Sequence, residues 1–411
     1  MSSTPMKVHL RMLGCRLNQS EIDRMARQFE QQGHIIVNDP AEADQIVVNT
    51  CAVTNEATRS SRKLIRELNR SSEDAAISVT GCYAQISPEE IAVLPGVGRV
   101  VDNLQKESLV SQITGEEVAE FDLEPHQRSL RPGEGARTRA FVKVQDGCDN
   151  ACTFCVTTVA RGEGRSRDAD EIIQEINMLH EMGYQEAVLT GVHLGSYGHD
   201  SGDSDGLLHL TRQILAETQM PRLRLSSLEP WDLSPGFFDL WQDERLQPHL
   251  HLPLQSGSDA TLKRMRRHTN QAAFRELMQA ARAAIPDVKI TSDVIVGFPG
   301  ETDDEFAESL AFIQEMNFGG LHVFRYSTRP GTPAARMKGK VRKNIKKERS
   351  RILLEHSDQQ EQRFAEQYIG QTVPVLWEQV TGSSDEGFFN VGYTHNYIRV
   401  EGVHPRVLTN S

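Results

Sequence analysis

AFVKVQDGCDNACTFC, residues 140–155, decides how this chain folds. AFVKV (140–144) is a short apolar run of the kind that forms a buried strand. The polar loop behind it carries three of the chain's six cysteines, Cys148, Cys152 and Cys155. In α/β folds the chemistry gathers on loops beyond the carboxyl ends of parallel strands. The stretch therefore reads as the first strand and first functional loop of such a fold.

Five further strand candidates follow: EAVLT (186–190), RLRLSS (222–227), HLHLPLQ (249–255), KITSDVIVGF (289–298) and LHVFRYS (321–327). Amphipathic segments separate them, such as DEIIQEINMLHEM with Ile172, Ile176 and Leu179 on one face. Six consecutive βα units predict a partial barrel, open on one side. The loops after its strands (TGVHLGSYG, SSLEP, QSGSD, GFPGET and STRPGTPA) are small, polar or rich in glycine.

Upstream the same alternation occurs in a separate region. KVHLRML (7–13), QIVVNTC (45–51), AISVTGC (76–82) and RVVDN (99–103) read as strands. Helix candidates lie at 20–32, in TNEATRSSRKLIRELNR and in PEEIAVL. The order predicts a parallel sheet with helices on both faces. Cys15 follows its first strand, and Cys51 and Cys82 end the next two, so three cysteines distant in sequence are expected to converge. Gly14 and Gly81 let the backbone turn beside them, and Asn18, Asn49 and Asn55 offer polar support. Downstream, a basic run from Arg336 to Arg351 leads into a helical stretch ending near Tyr368. The short β runs TVPVLWEQV and GFFNVGYTHNYIRV then predict a small all-β domain. The expected organisation is an N-terminal α/β domain over 5–120, a linker over 121–139, a partial (βα)6 barrel over 140–367 and a β domain over 368–411.

Composition narrows the class. The 411 residues are 38% hydrophobic and carry a net charge of −12, which argues against a surface that coats nucleic acid generally. Basic patches remain, KRMRRH from Lys263 and the Arg336–Arg351 run, the latter also readable as a solvated helix face. MSSTPMKVHL lacks a signal peptide's apolar run and no stretch is long enough for a bilayer, so a cytoplasmic protein without membrane contact is expected. In that compartment clustered thiols point to metal or catalysis rather than disulfides. Zinc knuckles and ferredoxin clusters take four protein ligands. Three local thiolates instead suit a 4Fe-4S cluster with one iron left open for a ligand.

The pattern Cys148-x3-Cys152-x2-Cys155, with aromatic Phe154 before the last cysteine, resembles the signature of the radical S-adenosylmethionine enzymes. GCRLNQSE, NTCAVTNEA and TGCYAQ resemble the N-terminal domain of the tRNA methylthiotransferases, and VTNEATRSSRK and TGCYAQ are most similar to the branch acting on N6-threonylcarbamoyladenosine. GYTHNYIRV resembles the TRAM domain, an RNA-binding β-barrel.

The resemblance implies that Cys148, Cys152 and Cys155 hold the cluster that cleaves S-adenosylmethionine, and that Cys15, Cys51 and Cys82 hold a second 4Fe-4S cluster where sulfur is supplied. It implies two S-adenosylmethionine molecules per turnover, tRNA bound at its anticodon loop, a reductant such as flavodoxin or ferredoxin, and a sulfur donor. The implied product is 2-methylthio-N6-threonylcarbamoyladenosine. The cofactor does the chemistry at an unactivated carbon, and the protein supplies position.

Phe154, Thr190, Gly191, Ser226, Glu229, Gln255 and Gly297 are the expected S-adenosylmethionine contacts, with Gly300 beside them; each strand-end residue also fits an ordinary turn. Arg161, Arg165 and Arg167 are candidates for gripping a carboxylate or, equally, solvated cations of a polar loop, and Tyr393 and Tyr397 for stacking on bases or filling a β core. His193 and His251 are assigned no role. Two departures stand out: VTTVARG lacks the proline many relatives carry before Ala-Arg-Gly, and the chain ends soon after NYIRV. The competing functions are methylthiolation of isopentenyladenosine or of ribosomal protein S12, and a non-catalytic iron–sulfur RNA-binding redox sensor.

Overall fold

The computed structural model describes residues 4–117, 131–132, 135–234 and 236–411; most of the expected linker lies outside them. The chain forms two compact units. The first joins the N-terminal residues to Asp146–Asn150 and Cys155–Arg165; the second contains Ala151–Phe154 and Ser166–Ser411.

In the first unit, strands β1 (Lys7–Met12), β2 (Ile35–Ile36), β3 (Gln45–Thr50), β4 (Ala76–Gly81) and β5 (Val97–Val100) form a parallel sheet in the order β2-β1-β3-β4-β5. Every residue of β3 is buried, as expected for a central strand covered on both faces. Helix α1 (Arg16–Gln31) packs Ile22, Met25 and Phe29 against Val8 and Val47 on one face. Helix α2 (Asn55–Ser71) packs Ile65 and Leu68 against Ile46, Val48, Ile77 and Val79 on the other. Thr54 starts α2 by accepting a 3.0 Å hydrogen bond from the amide of Ala57. Helix α1 begins at Arg16 rather than at Ser20, so Cys15 is its N-cap residue. The two-residue β2 is too short for a periodic signal, and the sequence does not announce it.

In the second unit the six expected barrel strands form in order. Arg139–Lys143, Glu186–Thr190 and Arg222–Leu225 make one parallel sheet; His249–His251, Lys289–Val296 and Leu321–Arg325 make another. Single parallel bridges, Leu223 to Leu246 and Ser227 to His251, carry the pairing from one to the other. Ala140, Val142, Ala187, Leu189, Leu223, Leu225, Leu250 and Val294 alternate along the strands into the core shared with the helices. Arg139, Glu186, Arg224, His249 and Lys289 belong to the opposite, inner face by the same alternation. The helix Lys343–Glu366 lies along the last strand, with Leu353 in the core and the Ser357 hydroxyl accepting from the Leu321 amide at 2.8 Å. No described helix is long and apolar enough to cross a membrane.

Strands Val375–Ser384, Gly387–Thr394 and Arg399–His404 form the C-terminal antiparallel sheet. Tyr393 and Tyr397 stack with ring centres 4.7 Å apart, and Arg139 lies 5.2 Å from each ring. Arg224 lies 4.7 Å over Tyr397, and Arg139 donates to the Tyr397 hydroxyl at 2.6 Å. The two tyrosines thus pack against the amino ends of the barrel strands, the structural alternative to base stacking. At the centre is Glu186, 1% exposed, receiving Arg224 and Arg222 at 3.0 Å each. Burial pushes its carboxyl up, but Arg224, Arg222 and Arg139 outweigh burial and hold it at about 2.

Removing this carboxylate would strand buried guanidinium groups. Glu186→Ala is expected to lose about 3–5 kcal/mol in urea unfolding. The native carboxyl titrates near 2 against an ordinary 4.5. The wild-type advantage over the variant should therefore be complete above about pH 5 and disappear as pH falls toward 2. Unfolding curves at several pH values check both.

Candidate functional site

Sheet order places β1, β3 and β4 side by side. Cys15, Cys51 and Cys82 follow these strands on neighbouring tracks about 4.8 Å apart. Gly14 has φ +120°, and a side chain there would put Cβ 3.0 Å from Cys51 Cβ and 3.2 Å from its Sγ. Gly81 has φ +99°, and a Cβ there would meet the Thr50 carbonyl oxygen at 2.3 Å. Both glycines are needed for the turns into the cysteines. The Cys15 thiol lies 3.7 Å from Asn18 Oδ1, and Asn18 donates to Leu13 O at 2.7 Å and Thr50 O at 3.2 Å. Asn49, the second expected support, donates to Glu21 at 2.8 Å. No disulfide joins any of the six cysteines. Burial pushes the Cys51 thiol up to about 11. It also raises the thiol of Cys15, a residue that keeps an exposed face although its sulfur is closely surrounded. The neighbouring thiols add to both shifts and Arg161 opposes them. Thiols shifted in this way are poor nucleophiles, and to ligate a metal they would have to lose their protons.

The sequence leaves Arg161 as a ligand grip or a solvated cation, and the structure shows it buried on partners within the first unit. It is 3% exposed and bonds Glu21 at 2.8 Å, Asp146 at 2.9 Å and Asn18 at 2.9 Å. Lys106 reaches the same Glu21 at 2.7 Å, its ammonium pulled down by burial and held up by that carboxylate. Arg161 ends the short helix Thr157–Arg161, which starts two residues after Cys155. Ala160 of that helix packs in one core with Cys82 and Tyr83, and its carbonyl accepts from Asn103 at 2.6 Å. The Thr157 amide lies 3.3 Å from Cys155 Sγ, and the Cys148 amide donates to Gly162 O at 3.0 Å. Arg167 also serves structure, bonding Glu175 and the Lys143 carbonyl, whereas Arg165 is exposed.

In the second unit, Thr153 fixes its stretch of the cysteine loop. Its amide donates to Met265 O at 3.0 Å, its hydroxyl to Arg264 O at 2.9 Å, and its carbonyl accepts from Ala334 at 2.9 Å. Phe154 meets Phe298 edge to face at 6.4 Å. Cys152 Sγ lies 3.9 Å from Arg267, which also bonds Glu229 at 2.9 Å and Pro253 O at 2.6 Å and covers Trp231 at 4.5 Å. By sequence Arg267 belongs to a basic patch open to RNA; it is buried, and Arg264 pairs with Glu305 at 2.8 Å. Lys263 and Arg266 are the exposed cations of that stretch.

Thr190, Gly191, Ser226, Glu229, Gln255 and Gly297 all sit at or just beyond carboxyl ends of barrel strands. Thr190 is buried and donates to Val142 O at 3.2 Å. A Cβ on Gly191 would meet Gln145 Oε1 at 3.0 Å, the atom that accepts from the His193 amide. The buried Ser226 hydroxyl has no hydrogen-bond partner among the described residues. Gln255 has φ +70°, and its amide donates to Asp293 O at 2.8 Å. Gly297 has φ +71°, its amide donates to Glu301 at 2.6 Å, and Lys346 lies over it. His193, given no role, bonds Asp232 at 2.6 Å.

The basic run is likewise divided. Lys346 donates to Tyr326 O at 2.9 Å, and Arg349 is buried on Glu301 and Asp303. Lys343 and Lys347 are exposed.

Residues 7–101 match the family described as "Uncharacterized protein family UPF0004", and residues 142–313 match the Radical SAM superfamily. The chain is 39% identical to a Bacillus subtilis protein named threonylcarbamoyladenosine tRNA methylthiotransferase MtaB, across 94% of this chain and 88% of that one. A Thermotoga maritima protein of the same name is 37% identical, across 97% and 92%. An Acetivibrio thermocellus protein named tRNA-2-methylthio-N(6)-dimethylallyladenosine synthase is 32% identical, across 92% and 82%. Among solved structures, the radical S-adenosylmethionine methyltransferase TsrM from Kitasatospora setae, with cobalamin and a [4Fe-4S] cluster bound, shares the fold. Its TM-score is 0.58 at 15% identity, with 81% of this chain and 77% of that one covered.

The close approach over Gly297 is testable. An alanine there carries about 1–2 kcal/mol of left-handed strain, and its Cβ would lie 2.4 Å from Lys346 Cγ. Gly297→Ala should therefore destabilise the protein by more than the strain alone. Adding Lys346→Ala should relieve the clash, so that the double variant is more stable than the sum of the singles by about 0.5 kcal/mol or more. Additive urea-unfolding values would contradict this packing.

Proposed function

The chain belongs to the radical S-adenosylmethionine tRNA methylthiotransferases, and within that family we propose that it converts N6-threonylcarbamoyladenosine at tRNA position 37 to its 2-methylthio derivative. The observation that carries this reading is the division of all six cysteines into two sets of three at strand carboxyl ends. Cys148, Cys152 and Cys155 hold one 4Fe-4S cluster, and Cys15, Cys51 and Cys82 a second. The donor sets fit: all are cysteines outside disulfides, and three thiolates per cubane leave one iron for a further ligand. The first cluster, when bound, supplies the electron that cleaves S-adenosylmethionine; the second is where sulfur enters.

The chain's own residues position these groups. Arg267 holds Glu229 and lies against Cys152, fixing one cysteine and one strand-end carboxylate together. Phe154, Thr190, Gly191, Ser226, Gln255 and Gly297 line the strand ends where S-adenosylmethionine binds, and the Ser226 hydroxyl gains its missing partner there. Arg161 places positive charge beside Cys15, Cys51 and Cys82, which favours the anionic, thiolate-bound state. A reductant such as flavodoxin or ferredoxin and a sulfur donor complete the reaction. The threonylcarbamoyl branch is favoured over the dimethylallyl branch by the higher identity to its named members.

The Cys15/Cys51/Cys82→Ala protein tests the division of labour. Reconstituted wild type should hold about eight irons and the variant about four. The variant should still release 5′-deoxyadenosine under reducing conditions and make no methylthio nucleoside. Mass spectrometry of the tRNA nucleosides separates the threonylcarbamoyl product from the dimethylallyl one; a wild-type iron content near four, or loss of cleavage in the variant, contradicts the scheme.

Binding of tRNA by an acidic protein needs local positive surface. Lys343→Glu with Lys347→Glu is expected to weaken tRNA binding and to flatten its salt dependence, the log–log slope falling by about one for each phosphate no longer neutralised. Lys346 stays unchanged, because it is packed on Tyr326. Binding curves at two salt concentrations that superimpose with wild type would remove this helix from the RNA site.

A further inference from the structure

We propose that His251, Asp293 and His322 form a binding site for one divalent transition-metal ion, separate from both cysteine sets. The inference goes beyond methylthiolation and does not rest on it.

The three residues come from three consecutive barrel strands. His251 pairs in register with Thr291, and Asp293 pairs with His322. Their neighbours Leu250, Leu252, Val294, Leu321 and Val323 pack with the helix-side core, so the alternation of strand side chains puts all three on the other face. There His251 Nε2 lies 3.2 Å from Asp293 Oδ1, and His322 Nδ1 lies 3.1 Å from the same oxygen. One donor atom from each residue falls within 4.8 Å of the other two. A tetrahedral ion with ligand bonds of about 2.0–2.2 Å needs donors roughly 3.3–3.6 Å apart. Two edges of the triangle are already within about 0.4 Å of that span, and a small rotation of exposed His322 closes the third.

The donor set is specific in kind. Two imidazoles and one carboxylate suit zinc, iron(II), cobalt or nickel, whereas magnesium and calcium prefer oxygen throughout. A supporting partner is also in place: His251 Nδ1 lies 2.9 Å from the Thr291 hydroxyl, which directs Nε2 toward Asp293. Burial is graded, with His251 buried, Asp293 intermediate and His322 exposed. Three protein ligands with an exposed side leave a position for water or for an oxygen of a bound molecule, the arrangement of catalytic rather than structural zinc sites. The bare alternative is a hydrogen-bonded His–Asp–His array, and it predicts no ion.

The test uses the full chain reconstituted with iron and sulfide, so that the cysteines are occupied, and titrates it with cobalt(II). Equilibrium dialysis counts the ions, and visible absorption distinguishes imidazole and carboxylate ligation from thiolate. Wild type should bind one cobalt per chain without losing iron. His322→Ala and Asp293→Asn should each weaken that binding at least tenfold with iron and sulfide content unchanged. Thr291→Val, which keeps all three ligands, should weaken it about 10–100-fold. Exposed His322 contributes little to the core, so its variant should fold; circular dichroism and the iron count verify this. No cobalt on wild type, or equal cobalt on wild type and His322→Ala, overturns the site.

Discussion

The ion pair between Glu21 and Arg161 is the constraint from which the first unit follows. A buried carboxylate is tolerated only with partners that neutralise and hydrogen-bond it, and Glu21 receives Arg161, Lys106 and Asn49. Glu21 lies on the helix that begins at Cys15, and Arg161 ends the helix that begins after Cys155. Satisfying one charge thereby fixes the segments that carry two of the cysteine positions. Arg161 also bonds Asn18, whose amide holds the Leu13 and Thr50 carbonyls before Cys15 and Cys51. The same guanidinium therefore orders the backbone around the thiols and partly offsets the effect of burial on them.

The second unit repeats the principle at both ends of its barrel. At the amino ends of the strands, Glu186 collects Arg222 and Arg224, and the C-terminal tyrosines cover the array. At the carboxyl ends, Glu229 collects Arg267 beside Cys152. The apolar residues between alternate toward the helices, and most of the charged side chains of the strands fall on the inner face. Beyond the carboxyl end of its third strand, the buried Ser226 hydroxyl has no hydrogen-bond partner among the described residues.

Much of this is legible in the sequence, because it depends on local pattern. The six barrel strands announce themselves by alternation, and the cysteines sit at strand ends that the alternation locates. Pairings between distant residues are not written locally. Arg161, Arg267, Lys346 and Arg349 all occur in stretches that look like solvated cations, yet each is turned inward by an acid, a carbonyl or an aromatic ring far along the chain. The Arg336–Arg351 run illustrates the limit: its composition shows charge, while the face each cation occupies depends on Glu301 and Tyr326. Tyr397 fits the same account. An aromatic residue in a short β run suits a nucleobase platform as well as a plug, and only Arg139 and Arg224 beneath it decide. The triad of His251, Asp293 and His322 is invisible in the sequence for a related reason, since its members lie on three strands and none is unusual alone.

Glu21 and Arg161 are 140 residues apart, and that separation has a consequence for biosynthesis. Chains emerge amino end first and tend to fold domain by domain as they do so. The five-stranded sheet is complete in sequence by Val100, and Lys106 follows soon after with one counter-charge. Arg161 emerges only after Cys148, Cys152 and Cys155 have passed. A growing chain can thus assemble the sheet early with Lys106 as the counter-charge of Glu21, and gain the Arg161 hydrogen bonds only once the second set of thiols has arrived. The first unit reaches its final form on the same stretch of translation that delivers the barrel's cysteine loop, whereas the partners that fix the middle of that loop, Arg267 beside Cys152 and Met265 and Ala334 on Thr153, emerge later, so the surroundings of the two thiol sets mature in succession.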